Sequence, residues 1–132
     1  MIKGSCLCGN VKYQYTGTIE EVAICHCDQC KRAQGTPFAT NSPIKKSLFS
    51  FQSGENSLKA FFSSEKKKRV FCGNCGSPLY SQRLDMPEVI RLRLGTVTEG
   101  NIPKPHYEIY GESKSDWYCE DNARQIFIQN KA

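Results

Sequence analysis

The sequence has no apolar run that approaches the length needed to span a bilayer, which argues against a membrane partner. It also lacks an apolar stretch of signal-peptide length near its start, because the segment Met1-Ile2-Lys3-Gly4-Ser5 leads directly to a cysteine. We therefore expect a cytoplasmic protein, in a reducing compartment where disulfides are rare.

Linkers and low-complexity tracts are absent as well, so nothing in the sequence divides it. A chain of 132 residues is one domain by the usual relation of length to domain number, and we predict a single domain over residues 1–132. A homodimer is among the assemblies that the sequence allows.

A strong charge of one sign is lacking as well. The formal net charge is +5, and it counts every thiol as neutral. Seven of the eight cysteines stand in close C-x-C and C-x-x-C spacings typical of zinc ligands. As thiolates that hold two Zn²⁺ ions they would bring the charge to about +2, which removes most of the electrostatic argument for a nucleic-acid partner. We interpret the basic run at residues 66–69 as a solvated turn, and we expect no nucleic acid to bind.

What the sequence does have is cysteine, and seven of its eight cysteines fall into three tight clusters. Cysteine pairs spaced C-x-C and C-x-x-C in a reducing compartment indicate metal or redox sites rather than disulfides. Structural zinc takes four protein ligands, whereas reactive zinc keeps three and leaves one position open. Seven clustered cysteines therefore indicate one closed and one open zinc site, with two ions per chain. The clusters are Cys6/Cys8, Cys25/Cys27/Cys30 and Cys72/Cys75.

Short alternating apolar runs predict strands, so the expected fold class is mainly β. The runs cover residues 11–15, 22–25, 48–51, 58–62 and 89–94, and turn residues at 41–43, 53–56 and 98–101 separate them. One short helix is predicted, capped by Asp28 and closed by Gly35 and Pro37. We expect the aromatic residues Tyr107, Tyr110, Trp117 and Tyr118 to lie in the core or in strands, and Cys119 to be a structural thiol.

Strand geometry separates His26 from its neighbours. Side chains alternate between faces, so Cys25 and Cys27 point to one metal while His26 points away, as a core residue or a substrate contact. Spacing alone leaves two partitions of the cysteines open. Either Cys25, Cys27 and Cys30 form the open set, or Cys27/Cys30 join Cys72/Cys75 in a paired zinc ribbon.

Four motifs resemble one known family along nearly the whole chain. They are Gly4-Ser5-Cys6-Leu7-Cys8-Gly9, Cys25-His26-Cys27-Asp28-Gln29-Cys30 with Gly35-Thr36-Pro37-Phe38, Arg69-Val70-Phe71-Cys72-Gly73-Asn74-Cys75-Gly76, and Ser113-Lys114-Ser115-Asp116-Trp117. The sequence resembles the glutathione-dependent formaldehyde-activating enzyme family, also called the GFA or CENP-V/GFA domain family.

This resemblance implies an Mss4-like β-tent with zinc sites and one short helix. It implies a structural zinc on Cys6, Cys8, Cys72 and Cys75, and a catalytic zinc on Cys25, Cys27 and Cys30. The implied activity is that of a carbon–sulfur lyase, which joins glutathione as co-substrate to formaldehyde or another small aldehyde. The sequence departs from the family at Glu108, where many members carry histidine; the nearest histidine is His106.

An open three-cysteine zinc site suits this chemistry on physical grounds, because coordination favours the thiolate form of a bound thiol. We predict that the partners are a small-molecule thiol and an electrophile. Lys31 and Arg32, near the helix start, are candidate contacts for glutathione carboxylates, although a solvated basic turn explains them equally well. The alternative function is a non-catalytic zinc-binding interaction module.

Overall fold

The computed structural model describes residues 1–121 and 123–129 and confirms the mainly β class with one short α-helix. Its strands form two sheets. The described residues contain no helix with the length and apolarity of a bilayer-spanning segment. The elements are β1 Ile2–Ser5, β2 Lys12–Tyr15, β3 Ala23–Cys25, α1 Asp28–Gln34, β4 Ala39–Lys45, β5 Phe49–Ser53, β6 Leu58–Ser64, β7 Lys67–Cys72, β8 Pro78–Arg83, β9 Val89–Arg93, β10 Val97–Glu99 and β11 Tyr107–Ile109, with 3₁₀ turns at Lys46–Leu48, Glu55–Ser57, Leu94–Thr96 and Gly111–Ser113.

The hydrophobic core joins the two sheets. The smaller sheet has the order β10-β1-β2-β5 and the larger one β11-β3-β4-β9-β8-β7-β6, with β11 and β3 parallel and the other pairs antiparallel. Tyr13 of the smaller sheet and Leu79 and Leu92 of the larger one are fully buried in the same cluster. The ring of Phe49 packs against rings of both sheets, with centroid distances of 5.0 Å to Tyr13 and 6.1 Å to Tyr80.

The opposite face of the larger sheet carries polar side chains and cysteine. Because side chains alternate along a strand, the neighbours of core residues Val70 and Leu92 point away from the core. Register places Arg93 beside Asn41 and Arg69 in line with Ser81 on this second face. We call it the polar sheet face; α1 packs over it through contacts with β4.

Two local expectations are wrong. The turn expected at residues 41–43 lies within β4. The strand tolerates Pro43 because β3 pairs only with residues 39–41, so no partner strand needs an N–H group at Pro43 on that side. The basic run expected as a solvated turn mostly belongs to β7, where Lys67 and Arg69 are half-buried; only residues 65–66 form the turn.

The aromatic residues near the C-terminus are not in the core. Trp117 is 72% exposed and Tyr110 59%, Tyr107 lies in β11 with an exposed side chain, and Cys119 is exposed rather than structural. After β11 the described chain forms only one 3₁₀ turn and loops, so Tyr110, Trp117 and Cys119 lie outside the sheets.

We expect Tyr13 to make the protein less stable at alkaline pH. Burial raises the pKa of Tyr13 to about 12 although its hydroxyl pairs with Thr96 at 2.7 Å. The pKa of Tyr13 is higher in the folded state than in the unfolded state. The contribution of its neutral hydroxyl to the free energy of unfolding is therefore complete below about pH 10. It is lost as the pH rises toward about 12, by about 1.4 kcal/mol per pH unit. Urea unfolding at pH 9 and pH 11 checks it: the loss should be larger in the wild type than in Tyr13→Phe, and equal losses would contradict it.

Candidate active site

Four cysteine sulfurs meet at one end of the core. Cys6 and Cys8 follow β1, and Cys72 and Cys75 come from the end of β7 and the turn after it; all four sulfurs lie within 4.8 Å of one another. The Sγ–Sγ distances are 3.6 Å for Cys6–Cys8 and 3.9 Å for Cys8–Cys72, and no disulfide joins them. Tetrahedral zinc with Zn–S bonds of about 2.3 Å requires about 3.8 Å between sulfurs, so this group fits a metal ion.

Hydrogen-bond donors surround these sulfurs and favour their anionic form. The Val11 N–H donates to Cys6 Sγ at 3.2 Å, and the Asn74 side-chain amide donates to Cys8 Sγ at 3.2 Å. The hydrogen bond with Ser77 lowers the pKa of Cys75 to about 5. Such contacts orient metal ligands, which supports a tightly held ion at this group.

The second group contains three sulfurs from one short segment. Cys25 ends β3, Cys27 lies in the connection, and Cys30 belongs to α1; the three sulfurs lie within 4.8 Å of one another. Cys25 and Cys30 are buried and Cys27 is half-buried. The rival set of Cys27/Cys30 with Cys72/Cys75 is not brought together in the described residues.

Cys27 also begins the helix, which corrects the expected cap. Its Sγ accepts a hydrogen bond from the Cys30 N–H at 3.3 Å, whereas Asp28 is the first helical residue and pairs with Lys31 at 3.3 Å. A sulfur in the N-cap position takes the role that oxygen usually has, because it satisfies a free N–H of the first turn. The helix thereby fixes Cys30 relative to Cys27.

Two of the three thiols, Cys25 and Cys30, have pKa values shifted in opposite directions. Burial raises the pKa of Cys25 to about 12. Burial also acts to raise the pKa of Cys30, but the hydrogen bond with Cys27 and the positive charges of Arg93 and Arg69 outweigh it and lower that pKa. Because metal ligands must be deprotonated, loading this site releases protons.

Three cations lie on the polar sheet face beside this group. The Arg69 guanidinium nitrogens are 3.9 and 4.0 Å from Cys30 Sγ. Arg93 is 3% exposed and donates to Asn41 Oδ1 at 2.7 Å. Burial lowers the pKa of Arg93 to about 10, so it stays charged at neutral pH, and burial also lowers the pKa of Lys67.

Arg93 and Asn41 belong to the site although the sequence alone does not indicate them as site residues. The sequence signal for Arg93 is a run of alternating charged and apolar residues at 89–94. This run predicts a strand, but it does not predict which side chains of a neighbouring strand contact the charged residues. The register between β4 and β9 supplies that partner.

His26 follows directly after Cys25, the last residue of β3. It is 3% exposed, and its Nε2 is 2.7 Å from Glu108 Oε1 across the parallel pair of β3 and β11. This hydrogen bond lowers the pKa of Glu108. Glu108 thus contacts His26, and the ring of Phe38 packs edge-on against the imidazole at 5.8 Å. A direct role for His26 at the metal is not supported by this placement.

Two adjoining cavities open beside α1, and both are lined by Ala33, Phe61 and Arg69. The inner cavity, of about 200 Å³, is also lined by Gln34 and Arg93. The outer cavity, of about 330 Å³, is also lined by Gln29, Arg32 and Ser63.

The two predicted glutathione contacts differ in their surroundings. Arg32 lines the outer cavity. Lys31 donates to the Ser113 carbonyl oxygen at 2.6 Å and pairs with Asp28, so its ammonium group is already engaged. Contact of either residue with a ligand stays a prediction.

A mainly β domain with one complete set of four sulfurs and one incomplete set of three defines a protein that can bind metal ions at two centres. The chain belongs to the glutathione-dependent formaldehyde-activating enzyme family, whose model matches residues 1–113. This confirms the resemblance drawn from the cysteine motifs.

Two known proteins are similar to this chain. The chain is 33% identical over 78 residues to an uncharacterized lyase of Schizosaccharomyces pombe, a match that covers 59% of this chain and 55% of the relative. The chain thus spans about half the length of this curated relative. A crystal structure of a Rhodobacter sphaeroides protein is similar at a TM-score of 0.63 and 25% identity, covering 80% of this chain and 98% of the other.

Proposed function

We propose that the protein is a zinc-dependent carbon–sulfur lyase that joins glutathione, or a similar thiol, to a small aldehyde and catalyses the reverse reaction. The observation that carries this proposal is the incomplete set of three cysteine sulfurs beside two cavities. The family membership and the lyase name of the relative support an enzyme whose function is related to glutathione and aldehydes.

The donor atoms fit zinc at both groups. Cys6, Cys8, Cys72 and Cys75 would hold a structural ion, and Cys25, Cys27 and Cys30 would hold the catalytic one. An all-sulfur donor set favours Zn²⁺ over hard cations such as Mg²⁺ or Ca²⁺. When bound at the three-cysteine group, zinc would favour the thiolate form of a thiol in its remaining position.

The reaction conserves atoms and electrons without an oxidant. The thiol sulfur forms a bond to the carbonyl carbon, the carbon–oxygen π pair moves to the oxygen, and the thiol proton ends on that oxygen. Around this step the protein supplies positive charge, because Arg69 and Arg93 line the inner cavity and an Arg69 nitrogen lies 4.0 Å from Cys30 Sγ. Cations in a partly buried site stabilise the thiolate and the developing oxyanion.

The outer cavity suits the thiol. Arg32 lines it, and Phe61 gives it an apolar wall. Guanidinium groups bind carboxylates through paired hydrogen bonds, and glutathione carries two carboxylates. We therefore assign glutathione recognition to Arg32 first and to Lys31 second, because Lys31 would have to leave Ser113 to reach a ligand.

Arg32→Gln is expected to raise the KM for glutathione by about 3- to 10-fold while leaving kcat within about 2-fold, because an exposed charge-assisted hydrogen bond contributes to binding alone. 2-Mercaptoethanol, a thiol with neither a carboxylate nor an amine, provides the matched control. Its KM should be unchanged by the substitution. Equal effects on both thiols would show that Arg32 does not contact a thiol carboxylate.

Exchange NMR spectroscopy of an equilibrium mixture of glutathione, formaldehyde and their adduct tests the proposed function. The wild-type protein should accelerate the exchange between free and adduct forms, and the variant with Cys25, Cys27 and Cys30 all changed to serine should not. No acceleration by the zinc-loaded wild type, or equal acceleration by the variant, would favour the alternative of a non-catalytic zinc-binding interaction module.

The proposed function also concerns the whole chain, its location and its partners. We propose that residues 1–132 act as one domain in the cytoplasm, with a small-molecule thiol and an electrophile as partners. The described residues bury their core in one unit that spans both sheets, which supports the single domain.

A further inference from the structure

The inner cavity is lined by two guanidinium groups, those of Arg69 and Arg93. Arg93 is 3% exposed, and Arg69 lies against Cys30. Among the ion pairs of the described residues, none joins either guanidinium to a carboxylate. A buried charge without a counter-ion is costly, so a partly buried pair of unneutralised guanidiniums indicates a site for an anion.

The charge of a loaded metal site does not remove this excess. Three thiolates and one Zn²⁺ carry about −1 together, and the two guanidiniums bring the local sum to about +1. Lys67 points to the same sheet face and adds to it. An anionic group entering the inner cavity therefore meets a net positive field.

We propose that the electrophile is an aldehyde or ketone that carries a carboxylate directly on its carbonyl carbon, a 2-oxo acid, with this carboxylate held by Arg69 and Arg93 in the inner cavity. This inference rests on the proposed thiol addition and names its substrate class. The S–C bond forms as in the general reaction, and the carboxylate itself is unchanged.

The distances favour the electrophile over the thiol as the source of the carboxylate. Arg69 lies 3.9 Å from the sulfur of Cys30, so a group that touches Arg69 lies close to the reacting atoms. In a 2-oxo acid the carboxylate is bonded to the reacting carbon. In glutathione both carboxylates are several bonds from the sulfur, which places them in the outer cavity near Arg32.

The size and lining of the inner cavity agree with a small acid. Its volume of about 200 Å³ is below the range of about 300–1,000 Å³ that is usual for drug-sized ligands. Gln34 Oε1, whose residue lines this cavity, is buried without a partner in the described residues. It offers an acceptor for the hydroxyl group that the addition creates and that the free carbonyl lacks.

The test compares glyoxylate with acetaldehyde, its neutral counterpart of similar size, in wild type, Arg69→Gln and Arg91→Gln. Arg91 lies on the same sheet face, outside both cavities, and provides the matched control. We expect the wild type to prefer glyoxylate in kcat/KM by about 10- to 100-fold, as a charge-assisted bidentate contact provides. Arg69→Gln should remove this preference and Arg91→Gln should keep it.

Arms with 2-mercaptoethanol, which has neither a carboxylate nor an amine, in place of glutathione separate the two sources of carboxylate. Loss of the glyoxylate preference in Arg69→Gln with both thiols supports the proposal. An equal loss of rate for both aldehydes that disappears with 2-mercaptoethanol would show that Arg69 binds the thiol and would overturn the proposal, as would no preference in the wild type.

Direct binding provides a readout independent of turnover and of the proposed function. Calorimetric titration of the zinc-loaded protein with pyruvate, without a thiol, should show binding that weakens at least 10-fold in Arg69→Gln. If no thiol and aldehyde pair is ever turned over, the proposed function fails while this titration still decides the carboxylate site. Unchanged binding in Arg69→Gln would overturn it. Arg93→Gln is a second variant, expected to act likewise if it folds.

Discussion

Cys30→Ser is expected to lower the zinc content from about two ions per chain to about one and to reduce thiol-adduct exchange by more than about 100-fold. Loss of a residue that only supports a metal ligand commonly lowers metal affinity or activity by about 10- to 100-fold, so loss of a ligand itself should have a larger effect. Cys30 is the ligand candidate fixed most firmly, because it is buried in α1 and lies against Arg69. Zinc analysis of the freshly purified variant and the exchange measurement check the two parts separately.

Cys119→Ser is the matched control for this experiment. Cys119 is the eighth cysteine, exposed and outside both sulfur groups. The Cys119→Ser protein should retain about two zinc ions per chain and full activity. A Cys30→Ser protein that keeps both ions and its turnover would contradict the assignment of the open site.

Cys72→Ser is expected to unfold the domain. Cys72 is fully buried and belongs both to the four-sulfur group and to the hydrophobic core. Binding of a structural zinc ion contributes roughly 10–16 kcal/mol to folding, which equals or exceeds the roughly 5–15 kcal/mol of net stability that a domain has. Circular dichroism should show loss of the β signal near room temperature.

The contrast with Cys30→Ser makes this second result specific. Loss of the ion from the three-cysteine group should leave the sheets and the core intact, because that group lies on the polar sheet face outside the main core cluster. Cys72→Ser protein that is folded and binds about two ions would show that the four-sulfur group is not the structural site.

The cysteine clusters and the single helix were predictable because their signals are local. Ligand spacing, strand alternation and the Gly35 ending each depend on residues close in sequence, and Gly35 does adopt the left-handed conformation that ends α1. The grouping of Cys6/Cys8 with Cys72/Cys75 required the resemblance to the family, since spacing alone allowed a rival set.

The cation site was not predictable, because it depends on strand pairing. Arg69, Arg93 and Asn41 come from three strands that become neighbours only in the order β4-β9-β8-β7. Pro43 gave a misleading local signal for a turn, and only the short length of β3 explains why β4 accepts it. Exposed aromatic residues such as Trp117 show the same limit, since composition does not determine which side chains find a sheet to cover.

We propose above all that Cys25, Cys27 and Cys30 form an open, thiol-binding metal centre. The most direct test is a glutathione titration of protein that carries Zn²⁺ at the four-cysteine group and Co²⁺ at the three-cysteine group, followed by optical absorption. A fourth sulfur ligand should raise the intensity of the thiolate-to-cobalt charge-transfer band by about one third. An unchanged band at saturating glutathione would contradict the claim.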